Sequence, residues 1–134
     1  MEIIDLIPQR FPMVMVDEFV GITDGISETK LTIASKNIFI ENDYLTECGI
    51  IEHIAQSAAA RVGYICKSEQ KPISIGYIGA VSNFDCLRLP RVSEILDTKI
   101  EIVQEVFNIT LISANCFVGE EKIASCQMKI FLDV

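Results

Sequence analysis

Hydrophobic positions follow the two-residue period of a β-strand on both sides of one central segment that has a helical period. In the first part of the chain, the run Met13–Ile22 is apolar and β-branched, and it stops at a turn centred on Asp24-Gly25. The next run, Glu28–Ala34, alternates between apolar and polar residues. Two such runs separated by a turn of this composition predict a β-hairpin. A shorter apolar stretch, Glu2–Ile7, precedes it.

The central segment has apolar residues at steps of three and four, which is the spacing of one face of an α-helix. It predicts a helix from about Gly49 to Lys67, with Thr46 as the N-cap. A connector with turn formers such as Asn42 and Asp43 leads to it. The apolar helix positions are Ile50, Ile51, Ile54, Ala55, Ala58, Ala59, Val62, Ile65 and Cys66. A helix with so wide an apolar face must be covered on more than one side.

After Pro72 the pattern returns to the strand period and predicts three or four long antiparallel strands between residues 73 and 132. Gly76 and Gly79 interrupt the first of them, so we expect a bend or bulge there. The last two are joined by a hairpin at Gly119–Glu121. This order predicts an α+β fold in which a curved antiparallel β-sheet wraps around one long central helix. No linker or repeat is visible, so we expect one domain over residues 1–134.

Composition and charge narrow the class of protein. Half of the residues are hydrophobic and the formal net charge is −8. An acidic chain is a poor partner for nucleic acid and for an anionic membrane surface. The first residues have no basic region followed by a long apolar run, and no window has the length of a membrane helix. We therefore expect a cytoplasmic protein that binds neither nucleic acid nor membrane.

Five cysteines, at positions 48, 66, 86, 116 and 126, form no C-x-x-C pair. An odd number without a secretory signal favours free thiols in a reducing compartment. Because the chain has a single histidine and its cysteines are scattered, we expect no metal site.

Two motifs carry a resemblance to a known family. LIPQRFPMVMVDEFVG (Leu6–Gly21) is similar to the LPHR-P-LLVD pattern that opens bacterial 3-hydroxyacyl-acyl carrier protein dehydratases. IEHIAQSAAA (Ile51–Ala60) is similar to that family's IEAMAQ at the start of its central helix. The spacing and the strand order agree over nearly the whole chain. The sequence therefore resembles this dehydratase family.

The resemblance implies a hot-dog fold and a dimer with one continuous sheet. It also implies a 3-hydroxyacyl thioester substrate on the phosphopantetheine arm of a carrier protein or coenzyme A, with no metal or redox cofactor. Catalysis in the family uses a histidine on the loop before the helix and a helix carboxylate from the opposite protomer. Glu52 occupies the carboxylate position and Gln56 that of the family's glutamine. For Gln56 we consider both substrate binding and a buried hydrogen bond between the helix and a neighbouring strand.

The chain departs from the family pattern in two places. The segment Asn42–Gly49, NDYLTECG, stands where the family has its histidine loop, and it contains neither histidine nor proline. Gln9 stands where the family often has histidine. This pattern resembles the histidine-lacking, dehydratase-like subunits of aryl-polyene-type pathways, which pair with an active homologue.

His53, next to Glu52, raises the question of a replacement base. A helix turns about 100° per residue, so His53 lies roughly 100° from Glu52 and the two side chains do not face each other. We expect His53 to be exposed, or at an interface, on the polar side of the helix. The alternative is a dimer that brings His53 to the other protomer's Glu52. For Glu52 itself, the alternative to a catalytic role is a first-turn carboxylate favoured by the helix dipole.

Other residues are weaker candidates. The backbone N–H groups of Gly49 and Ile50, at the helix N-terminus, are candidates for binding the thioester carbonyl of the substrate. Cys48 precedes the helix, where a thiolate is stabilised, but no base is evident beside it. Arg88 and Arg91 flank Pro90 and suit either the phosphate of a pantetheine arm or a solvated turn.

Three functions remain open from the sequence. The first is a dehydratase-like protein that has lost or delegated its chemistry, as a homodimer or as a heterodimer with an active homologue. The second is a hot-dog acyl thioesterase that uses Glu52 as base or nucleophile. The third is a non-catalytic acyl-binding or scaffolding module.

Overall fold

The computed structural model of the protein describes residues 2–133. A 3₁₀ helix, Ile3–Asp5, precedes the strands β1 (Glu18–Thr23), β2 (Ile26–Thr32), β3 (Ile40–Glu41) and β4 (Tyr44–Leu45). The helix α1 (Glu47–Ser68) is followed by β5 (Gly76–Cys86), β6 (Ile95–Val106), β7 (Ile109–Val118) and β8 (Glu121–Leu132). The predicted helix and its Thr46 cap are confirmed.

Six strands form one antiparallel sheet in the order β1-β2-β6-β7-β8-β5, and α1 packs on one face of it. The alternation seen in the sequence decides which side chains face the helix. On β2 and just after it, Thr29, Leu31 and Ile33 are buried, as their spacing predicts. On β7, Ala114 and Cys116 join the same core. The predicted α+β fold, a curved antiparallel sheet around one long helix, is confirmed.

The opposite side of α1 is covered by the N-terminal segment. Leu6 and Ile7 form a small buried cluster with Ala60 of the helix. The chain passes so close to Gly63 that a Cβ there would lie 2.2 Å from the carbonyl oxygen of Leu6. The helix is therefore covered on two sides, as the width of its apolar face predicts.

The first hairpin begins later than the sequence pattern predicts. The run from Met13 was expected to be strand throughout, but β1 begins at Glu18. Met15 and Val16 are fully buried without being part of the sheet. In this segment the Met15 N–H and the Met13 carbonyl bond to Gln56, and the Met15 carbonyl accepts from His53, so side chains of the helix replace a neighbouring strand for these groups.

Two further features are a bulge inside β5 and a short additional hairpin before the helix. The bulge expected in β5 is present: the register shifts between Ile78 and Ala80, and Gly79 lies against the Phe131 ring, which would have to move to accept a Cβ there. The connector before the helix contains the short hairpin β3–β4, which was not predicted. Asn42 and Asp43 form its turn, both with positive φ.

Strand β5 lies at one edge of the sheet and is the most exposed of the long strands. Its exposed residues include Tyr77, Ile78 and Val81, with exposed fractions of 57%, 44% and 37%. An edge strand with unpaired backbone groups and apolar side chains is a surface on which another strand can pair.

None of the helical segments in residues 2–133 combines the length and hydropathy that a membrane crossing requires.

Candidate functional site

The first backbone N–H groups of α1 are hydrogen-bonded to its N-cap residue, Thr46. Thr46 Oγ1 accepts a hydrogen bond from the Gly49 N–H over 3.3 Å, and the Thr46 carbonyl accepts one from the Ile50 N–H over 3.0 Å. Gly49 packs tightly, because a Cβ there would lie 2.7 Å from the Leu45 side chain. Ile50 is fully buried. Substrate binding by Gly49 and Ile50 stays a prediction, and in this chain their backbone donors are already paired.

Gln56 joins the helix to the N-terminal segment. Its Oε1 accepts from the Met15 N–H over 2.6 Å, and its Nε2 donates to the Met13 carbonyl over 2.7 Å. The same Nε2 donates to Glu52 Oε2 over 2.8 Å. Gln56 has no exposed surface, so its hydrogen-bonding groups are used inside the chain. The buried hydrogen bonding predicted for Gln56 is present, but its partner is the irregular segment before β1 and not a strand. Contact of this residue with a substrate stays a prediction.

Glu52 lies in a cleft of about 230 Å³ between α1 and strand β5, called here the Glu52 cleft. The wall formed by the helix consists largely of alanines, and β5 contributes Gly76, Tyr77 and Ile78. Its lining includes Gln9, Glu52, Ala55, Ala59, Gly76 and Tyr77. The cleft exists because alanines occupy the helix positions that face the sheet. Glu52 is therefore accessible from outside while Gln56 fixes one of its oxygens.

Gln9 comes to the same cleft from the N-terminal segment. Its Oε1 is sealed from solvent and has no hydrogen-bond partner within residues 2–133. An unpaired buried amide oxygen is unfavourable until a donor reaches it. Gln9, at which the chain departs from the family pattern, therefore lies in the same cleft as Glu52 and brings an amide that does not titrate.

His53 is on the opposite side of the helix from the cleft and is completely buried. Its Nδ1–H donates to the Met15 carbonyl over 2.7 Å, so its Nε2 accepts from the Thr98 hydroxyl over 2.8 Å. Burial lowers the pKa of His53 to about 4. The expectation of an exposed or interface histidine was wrong, because the helix is covered on that side as well. A ring buried and bonded in this way cannot serve the Glu52 of a partner.

The cysteines are free thiols, and none of them lines the Glu52 cleft. Cys48 is exposed at the first turn of α1, and no histidine lies beside it. Cys116 and Cys126 are buried on the inner face of the sheet, and burial raises their pKa values to about 12 and about 11. Among the described residues, no group of three or more histidine, cysteine or acidic side chains is arranged to hold a metal ion.

Arg88 and Arg91 are both engaged by carboxylates. Arg88 donates to Glu94 over 3.0 and 3.1 Å and to Glu121 over 3.1 Å, and these partners raise its pKa. Arg91 pairs with Asp43 over 3.1 Å. This arrangement supports the interpretation of a solvated turn, because the charge that would attract a phosphate is already neutralised.

Two groups near the helix were missed from the sequence. Thr98, on β6, bonds to His53 across the core, and only the tertiary structure brings them together. Arg61 lines a second cleft of about 320 Å³, called here the Arg61 cleft, between α1 and strands β6, β7 and β8. A signal for Arg61 was present, because an arginine in the middle of an apolar helical run must be paired or functional.

A six-stranded antiparallel sheet around a central helix, with a helix carboxylate in a cleft beside the edge strand, is the architecture of a hot-dog protein. The helix motif with Glu52 and Gln56 agrees with this class. The chain belongs to the ApeP-like family, described as ApeP dehydratase, whose model matches residues 1–133.

Curated dehydratases are similar to this chain in sequence, and solved structures share its fold. A 3-hydroxyacyl-acyl-carrier-protein dehydratase FabZ of Pediococcus pentosaceus is 25% identical over 95% of this chain and 87% of that protein. The dehydratase heterocomplex ApeI:P from Xenorhabdus doucetiae has the same fold, with a TM-score of 0.92 at 14% identity, covering 100% of this chain and 92% of that one. A hypothetical thioesterase with coenzyme A from Streptococcus pneumoniae TIGR4 is more distant, with a TM-score of 0.67 at 12% identity over 87% of this chain and 84% of that one.

Proposed function

We propose that this dehydratase-like chain does not dehydrate a 3-hydroxyacyl thioester alone, and that it works as a subunit with a histidine-bearing homologue. The observation that carries the proposal is the position of His53. It is the only histidine of the sequence, and it is buried with both ring nitrogens hydrogen-bonded, on the side of α1 opposite the Glu52 cleft. The chain therefore has a carboxylate in a cleft and no histidine base to work with it.

Dehydration requires a base that takes the proton next to the thioester and an acid that helps the hydroxyl leave. A histidine with a pKa near neutrality suits the first task. A pKa of about 4, together with complete burial, excludes His53 from it. Glu52 remains as the acid, held by Gln56 in one orientation. In this proposal the base comes from the partner subunit.

The exposed edge strand β5 supports the proposal that a partner subunit binds beside the Glu52 cleft. Strand β5 forms one wall of the Glu52 cleft through Gly76, Tyr77 and Ile78. A strand added to the free edge of β5 would extend the sheet and bring its own protein next to the cleft. The relative named as a dehydratase heterocomplex, ApeI:P, supports a partner that is a different chain. A cytoplasmic location, where acyl carriers are found, is part of the same proposal.

The test compares three preparations: the pure protein, a histidine-bearing homologue, and both co-expressed. Dehydration of a 3-hydroxyacyl-pantetheine is followed by the ultraviolet absorption of the conjugated product. We expect no turnover by the pure protein and more turnover by the co-expressed pair than by the homologue alone. Efficient dehydration by the pure protein contradicts the proposal.

The same preparations separate the other two functions. Release of free thiol from acyl-coenzyme A by the pure protein, lost in Glu52→Gln, would instead support a thioesterase. The open volume beside Glu52 favours an acyl site over a scaffold without one. Failure to bind any acyl-pantetheine, alone or with the partner, would leave only the scaffolding function.

A further inference from the structure

The Glu52 cleft and the Arg61 cleft adjoin each other between α1 and the sheet, and together they are called here the groove. They share lining residues from the helix, from the segment before β5 and from β8: Ala58, Val62, Ser74, Ile130 and Leu132. Glu52 lines one end, and Arg61 and Glu105 line the other. Nine residues of helix separate Glu52 from Arg61, which is about 13 Å along the axis.

The groove crosses beneath the helix from one flank to the other. Glu52 and Arg61 lie roughly 180° apart around α1, and the helix positions between them face the sheet. Alanines at 55, 58 and 59 leave the space open on the helix side. The floor of the far part is apolar, with Ile102, Ile112 and Ile130. A long apolar chain with its reactive end at Glu52 would therefore end near Arg61.

Arg61 is an unusual residue for the end of an apolar groove. Its side chain is 8% exposed, and Nη1 donates to the Ile100 carbonyl over 3.3 Å, while Nε is sealed from solvent without a partner. No salt bridge to Arg61 is formed within residues 2–133. A guanidinium has five donors, and burying it without pairing them is costly. Burial lowers its pKa, and the more distant charge of Glu105 opposes that change.

We infer that Arg61 binds an oxygen at the far end of the bound acyl chain and so selects chains that end in a hydroxyl or carboxylate. This inference rests on the proposed function, because it takes the acyl thioester to be bound at Glu52. Arg61 is a specificity residue here, and it takes no part in the reaction at the thioester. An unsubstituted chain leaves the donors of Arg61 unpaired, whereas a terminal oxygen accepts from them.

The test uses decanoyl-pantetheine and its two analogues with a hydroxyl or a carboxylate on the last carbon. Their dissociation constants are measured by titration calorimetry with the protein, alone and with its partner. We expect roughly tenfold or tighter binding of at least one oxygen-bearing probe over decanoyl-pantetheine. The two analogues distinguish a neutral from a charged end group. Equal binding of all three probes overturns the inference and leaves the proposed function intact, whereas no binding of any probe overturns both.

Variants locate the effect. Arg61→Met should bind the three probes equally, Arg61→Lys should keep part of the preference, and the exposed Arg91→Met should behave as wild type. Glu105→Gln removes a competing carboxylate, so the carboxylate probe should bind about threefold tighter. Thermal unfolding checks that each variant folds. A preference that survives in folded Arg61→Met contradicts the inference, and the wild-type comparison decides the question if that variant does not fold.

Discussion

Gln56 Nε2 donates a hydrogen bond to Glu52 Oε2 over 2.8 Å, one turn apart on α1, so the carboxylate in the cleft is held by a side chain that is itself fully buried. The remaining hydrogen bonds of Gln56 go to Met13 and Met15. One residue thus fixes both the irregular N-terminal segment and the orientation of the candidate acid.

Gln56→Met should destabilise the fold by about 3 kcal/mol. The thioether fills a similar volume, but the Met15 N–H and the Met13 carbonyl lose their partner inside the core. The free energy of unfolding from urea titrations measures this. Gln104→Met, at an exposed position, is the matched control and should change stability by less than about 0.5 kcal/mol. Equal effects of the two substitutions would show that the Gln56 hydrogen bonds contribute little.

Glu52→Gln tests the carboxylate in the complex. Together with a histidine-bearing partner, the variant should lose at least about a hundredfold in dehydration rate, because an amide cannot supply the proton that a carboxylic acid supplies. Its stability should stay close to that of the wild type, since the half-buried side chain still reaches Gln56. Glu47→Gln, exposed in the first turn of α1, is the control. Full activity of Glu52→Gln would mean that the partner carries both catalytic groups.

Stability should depend on pH through His53. The pKa of this histidine is about 4 in the folded chain and 6.5 in the unfolded one. Between these values the unfolded chain binds more protons, so the stability due to neutral His53 is complete above pH 6.5 and falls as the pH drops toward 4. The loss amounts to about 3 kcal/mol over that window.

The check is the unfolding free energy against pH for the wild type and for His53→Gln, which keeps a polar group that does not titrate. Carboxylates contribute the same slope to both proteins, so the difference between the curves isolates the histidine. Parallel curves would mean that the pKa of His53 is the same in the folded and the unfolded chain.

Substitution on the free edge of the sheet should weaken association. Val81→Lys, on β5, places a charge on an exposed apolar strand, and we expect roughly tenfold or weaker binding to the partner chain. Val20→Lys, on the opposite edge strand β1 and 46% exposed, is the matched control. Sedimentation velocity measures both. If only Val20→Lys weakens binding to the partner chain, the interface lies on the β1 edge and the proposal for β5 is wrong.

The thiols should react in an order set by burial. Cys48 is exposed and should react with an aromatic disulfide reagent in the native protein. Cys116 and Cys126 should react only on unfolding, because they are buried and their raised pKa values, about 12 and about 11, leave little thiolate. Mass spectrometry of the labelled peptides identifies each site. Labelling of Cys116 before Cys48 would contradict the packing of β7 against the helix.

The periodicity of apolar positions in the sequence correctly predicted the helix and strands that have a regular repeat. The extent of α1, its Thr46 cap, the inward face of β2 and the bulge at Gly79 all follow from local rules of side-chain spacing and backbone geometry. It failed for Met13–Asp17, since the composition of that run is typical of a strand. The backbone groups of Met13 and Met15 are instead bonded by Gln56 and His53, which are far away in sequence.

Side-chain periodicity and residue identity in the sequence were sufficient for the fold class, the separation of Glu52 from His53 around the helix, and the absence of a histidine from NDYLTECG. These depend on the helical turn and on residue identity, which are local. The tertiary structure was needed to show that His53 is buried and that Gln56 bonds to Met13 and Met15. It alone brought Arg61 to the end of a groove that begins at Glu52. Those relationships depend on which distant segments cover each side of α1, and the pattern of one helix does not contain that information.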